Sequence, residues 1–301
     1  MTLDRVIGVD LGGTKILAGL VARDGAIGRT VEVPTPEGTE AAVLDALDAL
    51  VEQFVEDAPL AIGLGVPLNL DRKTGIGYRA TNLPLRNVDL AGRIREQTGL
   101  PTGIENDGNA AALAEWQLGA GRGVDDLVAL TLGTGVGGGI VLGGSLYRGW
   151  AELGHIVVDA DGPPCPGHCH GRGHLEAVAS GHAADRAAVE LYGKGSDSYM
   201  LVERARAGDE PALAALERIG HFVGIAIGSL ANVFAPDLFV IGGGFGAATE
   251  DLLLPSIERT ARREAIEPAD TTLRVMPAQL GEEAGLVGAA LVGFAALDGA
   301  R

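Results

Sequence analysis

Positively charged residues are scarce in this sequence. Its 301 residues include 23 Lys and Arg against 40 Asp and Glu, which gives a formal net charge of −17. Proteins that bind nucleic acids normally present basic patches to the backbone phosphates, so direct binding of DNA or RNA is not expected. A site for a polyanion would have to be assembled locally, from backbone N–H groups, a few cations and a metal ion.

Aromatic residues, cysteines and long apolar runs are also few. Aromatic residues make up only 4% of the chain, so the core has to be built from Ala, Val, Leu and Ile. Two cysteines alone provide no disulfide framework. No signal peptide precedes the first apolar strand, and the longest apolar run, 222–235, is too short to span a bilayer. These absences predict a cytoplasmic protein with no membrane partner.

Glycine is abundant, with 47 residues, and glycine-rich turns occur in two similar segments. Residues 6–21 read as a strand, a Gly-Gly-Thr turn and a second strand, and residues 127–144 repeat this pattern. The repetition predicts a duplicated half, in which each half has its own sheet covered by helices. The pattern predicts further strands at 61–68 and 237–246, and helices at 38–57, 107–119, 175–192, 197–207, 210–234 and 283–297.

No Pro- or Ser-rich linker separates the two halves, so the crossings between them should be short and lie near residues 118 and 285. The predicted domains are therefore a smaller one made of residues 1–117 plus 286–301, and a larger one made of residues 118–285.

Three glycine-rich loops have the composition that phosphate binding requires, because only small residues let backbone N–H groups approach phosphate oxygens closely. A single loop of this kind would more simply be a tight turn. Residues 133–138 also spell G-x-G-x-x-G, but a strand follows instead of the helix that a dinucleotide fingerprint needs. Asp10, at a strand end, is placed to hold Mg²⁺, or else to cap a turn. The candidate nucleotide residues are Asp10, Gly12, Gly13, Thr14, Lys15, Gly133, Thr134, Gly135, Gly243 and Gly244.

A polar turn before an Ala-rich helix contains Asn106 and Asp107. Asp107 could accept the proton of an attacking hydroxyl group, and Asn106 could hold a neighbouring hydroxyl, although both residue types are also common helix caps. Glu152, His155 and Glu176 offer the acceptors and the donor that a polyhydroxyl ligand needs. Surface carboxylates and a histidine with a structural role would give the same pattern.

The segment 161–176 contains both cysteines and several histidines. Cys165, Cys169 and His174, together with His155 upstream, form a Cys₂His₂ set with zinc-type spacing, and four ligands would make the zinc structural. His168 and His170 are alternative ligands. An ordinary Gly/Pro loop is the alternative interpretation.

Long motifs in a fixed order give the chain a specific resemblance. VDLGGTK, ENDGNAAALAE, LTLGTGVGGGIV, AELGHIVVD, the Cys/His loop through LEAVASG, and VIGGG are similar to those of the ROK family of bacterial sugar kinases and repressors, and of its glucokinases in particular. The resemblance also includes ATNLP, in which Thr81 and Asn82 would lie near the sugar.

The resemblance implies an actin-like ATPase fold of the hexokinase, ribonuclease H-like type, with two α/β domains around a cleft. It implies that Asp107 is the catalytic base, that Asn106, Glu152, His155 and Glu176 bind sugar hydroxyls, and that the glycine-rich loops bind ATP and Mg²⁺. The family's zinc uses one His and three Cys. In this chain His174 replaces the last Cys, and Leu68 stands where many members have Gly.

The function implied is ATP-dependent transfer of a phosphoryl group to the 6-hydroxyl of glucose. N-acetylmannosamine, N-acetylglucosamine, fructose and allose remain alternative acceptors, and polyphosphate an alternative donor. A non-catalytic sugar sensor or repressor is the competing class. The acidic charge and the five residues before the first strand argue against a repressor with an N-terminal DNA-binding motif. A homodimer or homotetramer is expected.

Overall fold

The computed structural model describes residues 4–80, 83–147, 149–166 and 169–300. The chain divides into two compact units. The first comprises Met1–Arg122, Leu146–Trp150 and Glu282–Arg301, and the second comprises Gly123–Ser145 and Ala151–Gly281.

The first unit is a mixed sheet with helices. Its elements are β1 (Arg5–Leu11), β2 (Lys15–Ala22), β3 (Ile27–Pro34), α1 (Glu40–Glu52), β4 (Ile62–Val66), β5 (Leu68–Leu70), β6 (Gly77–Ala80), β7 (Arg86–Val88), α2 (Leu90–Thr98), β8 (Thr102–Asn106) and α3 (Asp107–Leu118). The main sheet has the order β3-β2-β1-β4-β8, in which β1, β4 and β8 are parallel. Strands β5, β6 and β7 form a small antiparallel sheet.

The second unit repeats this architecture. Its elements are β9 (Leu127–Leu132), β10 (Val136–Leu142), β11 (Ser145–Leu146), α4 (Leu175–Ala179), α5 (Gly181–Tyr192), α6 (Ser198–Arg206), α7 (Glu210–Phe234), β12 (Leu238–Gly242), α8 (Gly244–Ala248), α9 (Glu250–Glu264), α10 (Ala269–Thr272) and β13 (Val275–Pro277). The sheet order is β11-β10-β9-β12-β13. Each main sheet thus begins with an antiparallel hairpin and adds two parallel strands beside it, as the predicted duplication requires.

The last helix, α11 (Ala284–Gly299), returns to the first unit and lies on a row of glycines. Gly8, Gly63 and Gly103 are register partners on β1, β4 and β8. A Cβ atom at Gly63 would lie 1.7 Å from the carbonyl oxygen of Ala289, and one at Gly8 would lie 2.5 Å from that of Leu286. The helix backbone therefore contacts the sheet backbone directly, which only glycine permits.

Helix α7 is the core helix of the second unit. Among the described residues it is the one helix long and apolar enough to cross a bilayer by length and composition, but 56% of its most apolar stretch is buried inside the protein. Gly220 and Gly224 let it pack closely on α9, where Ser256 and Thr260 lie. All but the last residue of the run 222–235, which alone is too short for a bilayer, lies in this longer helix of 25 residues.

The structure differs from the sequence prediction in several boundaries. Helix α1 ends at Glu52, and the predicted helix 175–192 is divided at Ser180, whose hydroxyl caps α5 by accepting a hydrogen bond from the N–H of Ala183. Residues 118–122 fold back on Glu115, which accepts hydrogen bonds from Gly119, Ala120 and Gly121. They therefore belong to the first unit, beyond the predicted boundary at 117.

Candidate active site

In the first unit, the candidate metal-binding and catalytic residues lie at one edge of the sheet. Asp10, Gly65 and Glu105 are register partners on the parallel strands β1, β4 and β8. Asn106, at the end of β8, lies opposite Val66. Since parallel strands deliver their carboxyl ends to one edge, Asp10 and the Asn106–Asp107 turn lie at the same edge, two strands or about 10 Å apart, with β4 between them.

Asp10 lies against the first turn of α11. A Cβ atom at Gly285 would lie 2.3 Å from a carboxylate oxygen of Asp10, so glycine is needed there. Burial raises the pKa of Asp10 above its ordinary value, and the charge of Lys15 opposes this rise. A bound cation would stabilise the ionised form of this buried carboxyl group, which is the chemistry expected of a Mg²⁺ site.

The tip of the first hairpin is held by backbone contacts. The N–H of Gly12 donates to the carbonyl oxygen of Lys15 at 2.9 Å, and the hydroxyl of Thr35 donates to the carbonyl oxygen of Gly12 at 2.7 Å. Gly13 and Thr14 are exposed at the tip. Lys15 is also exposed and forms an ion pair with Glu32 at 2.8 Å. The tip presents backbone groups to solvent, as a phosphate loop must.

The structure assigns the capping role at the start of α3 to Asn106. Its Oδ1 accepts a hydrogen bond from the N–H of Asn109 at 3.2 Å, which is the geometry of an N-cap. Asp107 occupies the first helical position, and its Oδ1 accepts from the N–H of Gly108 at 2.8 Å. The positive end of the helix dipole therefore favours an ionised carboxylate at Asp107.

Sequence reasoning missed the residues beneath this turn. Glu105 is 8% exposed and Asn109 is fully buried, and the Nδ2 of Asn109 donates to Glu105 at 3.0 Å. Arg72 completes the group through an ion pair with Glu105 at 2.7 Å. The signal available in the sequence was an acidic residue on the strand directly before the polar turn.

In the second unit, the tip of the β9–β10 hairpin meets Glu176. The N–H of Gly133 donates to the carbonyl oxygen of Gly135 at 2.9 Å, which closes the turn around Thr134. Oε2 of Glu176 accepts a hydrogen bond from the N–H of Val136 at 3.0 Å. A Cβ atom at Gly135 would lie 2.3 Å from that same oxygen, so the carboxylate packs directly on the glycine.

The third glycine-rich loop joins the second. Gly243 has φ +82, and a Cβ atom there would lie 2.5 Å from the carbonyl oxygen of Leu132, the last residue of β9. Neither Gly133 nor Gly244 has any atom within 4 Å of the position a Cβ would occupy. The structure thus brings two of the three predicted phosphate loops together, with open space beside their backbones.

The turn that contains Glu152 and His155 lies beside this hairpin. Residues Leu153–His155 form a 3-10 turn, and the N–H of His155 donates to the carbonyl oxygen of Glu152 at 3.0 Å. A Cβ atom at Gly154 would lie 2.2 Å from the carbonyl oxygen of Val136, at the start of β10. The candidate sugar ligands Glu152, His155 and Glu176 are therefore all grouped around the β9–β10 turn.

Four side chains in the same unit form a candidate metal-binding group. The ligand atoms of His155, Cys165, Cys169 and His174 all lie within 4.8 Å of one another. The two Nδ1 atoms are 3.2 Å apart, and Sγ–Nδ1 distances are 3.7 Å for Cys165–His155 and 3.5 Å for Cys169–His174. Zinc with Zn–N of about 2.0–2.1 Å and Zn–S of about 2.3 Å separates tetrahedral ligand atoms by about 3.3–3.8 Å. The donor types suit zinc, and these three distances lie close to that range.

The segment that carries these ligands is held by close contacts within its own backbone. Isolated bridges pair Val157 with His174 and Pro164 with Arg172. A Cβ atom at Gly173 would lie 1.5 Å from the carbonyl oxygen of Asp159, and its φ is +63, so this position requires glycine. Burial and the neighbouring His155 lower the pKa of His174, against the opposing charge of Glu176, which favours the neutral imidazole that binds metals.

Comparison with known proteins places the chain in a family. Residues 6–294 match the ROK family, which is nearly the whole chain. The chain belongs to the ROK family. It is 39% identical to a glucokinase of Thermotoga maritima, over 96% of both chains. It is 36% identical to an N-acetylmannosamine kinase of Escherichia coli, over 95% of this chain and 97% of the relative.

A solved structure of the same family gives the fold. The ROK family glucokinase from Streptomyces griseus, in complex with glucose and AMPPNP, is 37% identical and superposes with a TM-score of 0.85, covering 97% of this chain and 99% of that one. The predicted actin-like ATPase fold is therefore confirmed.

Two residues depart from the ROK pattern, His174 and Leu68, and they lie in different surroundings. His174 is directed into the metal-binding group through its Nδ1 atom. Leu68 is 1% exposed and packs over Gly77 in the core of the first unit, so its side chain is structural. Three of the residues singled out above, Thr81, Asn82 and His168, lie outside the described residues. His170 is exposed and does not belong to the metal-binding group.

Proposed function

We propose that this chain is an ATP-dependent glucokinase that transfers the γ-phosphoryl group of ATP to the 6-hydroxyl of glucose. The observation that carries the proposal is the arrangement at one edge of the first sheet, where Asp10 and the Asn106–Asp107 turn lie at the same ends of the parallel strands β1 and β8, on either side of β4. The proposal is also supported by the glucokinases that match nearly the whole chain.

In the proposed reaction, the 6-hydroxyl oxygen attacks the γ-phosphorus while the bond from that phosphorus to the β,γ-bridging oxygen breaks. The hydroxyl proton passes to the carboxylate of Asp107, and ADP leaves with the electron pair of the broken bond. Phosphoryl transfer depends mostly on positioning and on neutralising charge. The ionised state that the α3 N-terminus favours at Asp107 suits a proton acceptor.

The proposal assigns the remaining roles as follows. Asn106 uses its Oδ1 as a helix cap, so its Nδ2 would donate to a sugar hydroxyl. Glu152, His155 and Glu176 would bind the other hydroxyls. The hairpin tips at Gly12–Lys15 and Gly133–Gly135, with Gly243 and Gly244, would bind the phosphates of ATP, and Asp10 would hold its Mg²⁺, through water.

A structural zinc would be held by His155, Cys165, Cys169 and His174. Nδ1 of His155 is the nitrogen directed at the other ligands. Its Nε2 would then face a sugar hydroxyl, and the metal would fix the tautomer and the orientation of the ring. His155 would thereby be ordered for sugar binding, and the metal would have no part in the transfer.

The second candidate is an N-acetylmannosamine kinase, which the relative at 36% identity favours. Glucose and this sugar differ in a single acetamido substituent and its configuration, which a pocket distinguishes through a few contacts. The cytoplasmic location, the donor and a homodimeric or homotetrameric state stay predictions.

The deciding experiment is ADP release measured over a panel of hexoses and N-acetylhexosamines, with ATP and polyphosphate supplied in parallel. We expect the highest kcat/KM with glucose and ATP. A preference for N-acetylmannosamine would select the second candidate. A chain that binds glucose but transfers no phosphate to any sugar of the panel would be a sensor, and the proposal would be wrong.

A further inference from the structure

The carboxylate of Glu105 is buried directly beneath the proposed catalytic turn and accepts four hydrogen bonds. Nη1 of Arg72 lies 2.8 and 2.7 Å from its two oxygens. The backbone N–H of Asn106 and the side-chain amide of Asn109 donate to Oε1, at 2.9 and 3.0 Å. Glu105 therefore contacts the turn on both sides of Asp107.

Arg72 extends this network to a second segment of the chain. Its Nη2 donates to the carbonyl oxygen of Gly149 at 3.0 Å. The segment Leu146–Trp150, which contains Gly149, groups with the first unit and ends two residues before Glu152. The guanidinium of Arg72 thus contacts both Glu105, beneath the catalytic turn, and Gly149, in the segment that leads to the proposed sugar ligand Glu152.

Arg72 is itself held in place by its neighbour. Oδ1 of Asp71 accepts hydrogen bonds from the N–H groups of Lys73 and Thr74, both at 2.9 Å, and Oδ2 accepts from the hydroxyl of Tyr78 at 2.7 Å. This closes the β5–β6 turn on which Arg72 stands. The planar fork of the guanidinium can then serve two acceptors at once, which a lysine ammonium at the same place would do poorly.

We propose that Arg72 and Glu105 are positioning residues of the reaction, which hold Asn106 and Asp107 in the geometry for phosphoryl transfer. This inference rests on the proposed kinase function. A displacement of about 1 Å in a reacting group costs on the order of 100-fold in rate, so a network that fixes the turn should be visible in kinetics. Because Asn106 shares the turn, loss of the network should weaken sugar binding as well as turnover.

The test compares Arg72→Met, Arg72→Lys and the double variant Arg72→Met/Glu105→Gln in the full chain, by ADP release with glucose and ATP varied separately. Arg72→Met alone leaves a buried carboxylate without its cation and can unfold the protein, and the neutral double variant removes that penalty. We expect kcat to fall by about tenfold to 100-fold and the KM for glucose to rise, with the KM for ATP unchanged. Arg72→Lys should be intermediate.

The matched control is Arg93→Met, which removes an arginine–carboxylate pair with Asp48 in the same unit, between α2 and α1. It should leave kcat and both KM values as in the wild type. A folded double variant with wild-type kcat and glucose KM would overturn the positioning role while the kinase function stands. A wild-type chain that transfers no phosphate would overturn the kinase function, and the positioning role with it.

Discussion

The Nδ1 atoms of His155 and His174 lie 3.2 Å apart and face the thiols of Cys165 and Cys169, respectively. The ligand atoms of these two imidazoles and two thiols all lie within 4.8 Å of one another, so together they could hold one metal ion. His174 stands in the position that the ROK resemblance gives to a third cysteine, so the group is complete with an imidazole in place of a thiolate.

We expect the purified wild-type chain to contain about one zinc per molecule, because a four-ligand structural site binds zinc tightly. Cys169→Ser should lose the metal and lower the Tm, whereas His174→Cys should keep it. His170→Ala is the control and should keep zinc, since His170 lies outside the group. Elemental analysis and the Co²⁺ absorption spectrum report the site directly, and wild-type protein devoid of metal would refute it.

Asp107→Ala should lower kcat by at least about 100-fold, the scale of a general-base contribution, with glucose binding retained. Asp107→Asn separates this role from a structural one. An asparagine still fits the first turn of α3 but accepts no proton, so we expect normal thermal stability and equally low turnover. ADP release and calorimetric titration with glucose measure the two effects. Near-normal turnover in either variant would show that another group is the base.

Two glycines of the β9–β10 turn should respond differently to alanine. At Gly133 the new methyl group meets no atom within 4 Å, so Gly133→Ala should fold normally and only block the approach of phosphate. Loss of one hydrogen bond to a charged phosphate corresponds to about a tenfold rise in the KM for ATP. Gly135→Ala displaces Glu176 and should raise the KM for glucose as well. If Gly133→Ala and Gly135→Ala changed the KM for ATP and the KM for glucose to the same extent, this difference between the two glycines would be contradicted.

Gly63 and Gly65 on β4 form a matched pair for stability. Gly63→Ala would bring its Cβ to 1.7 Å from the carbonyl oxygen of Ala289, so we expect destabilisation of at least about 3 kcal/mol or failure to fold. Gly65→Ala makes ordinary contacts at 3.6 Å and should be tolerated. Urea denaturation measures both free energies of unfolding. A tolerated Gly63→Ala would mean that α11 does not rest on this strand.

Features marked by sequence motifs could be predicted, whereas packing contacts between distant residues could not. Both hairpins, the strand–turn–helix at Asn106 and the Cys₂His₂ set could be found because their residues are close in sequence or repeat a pattern, and the ROK membership they suggested is confirmed. Arg72 could not be found, since it meets Glu105 across 33 positions and no periodicity marks that contact. The break at Ser180 was missed because a capping serine resembles any polar residue within a helical pattern.

The glycine row beneath α11 has a consequence for biosynthesis. Strands β1, β4 and β8 emerge from the ribosome early, but the helix that covers their bare backbones comes from residues 284–299. Until that segment is translated, the nascent amino-terminal sheet exposes an uncovered face, which chaperones would have to shield. A frameshift or nonsense codon near the 3′ end of the message would therefore damage the fold at its opposite end.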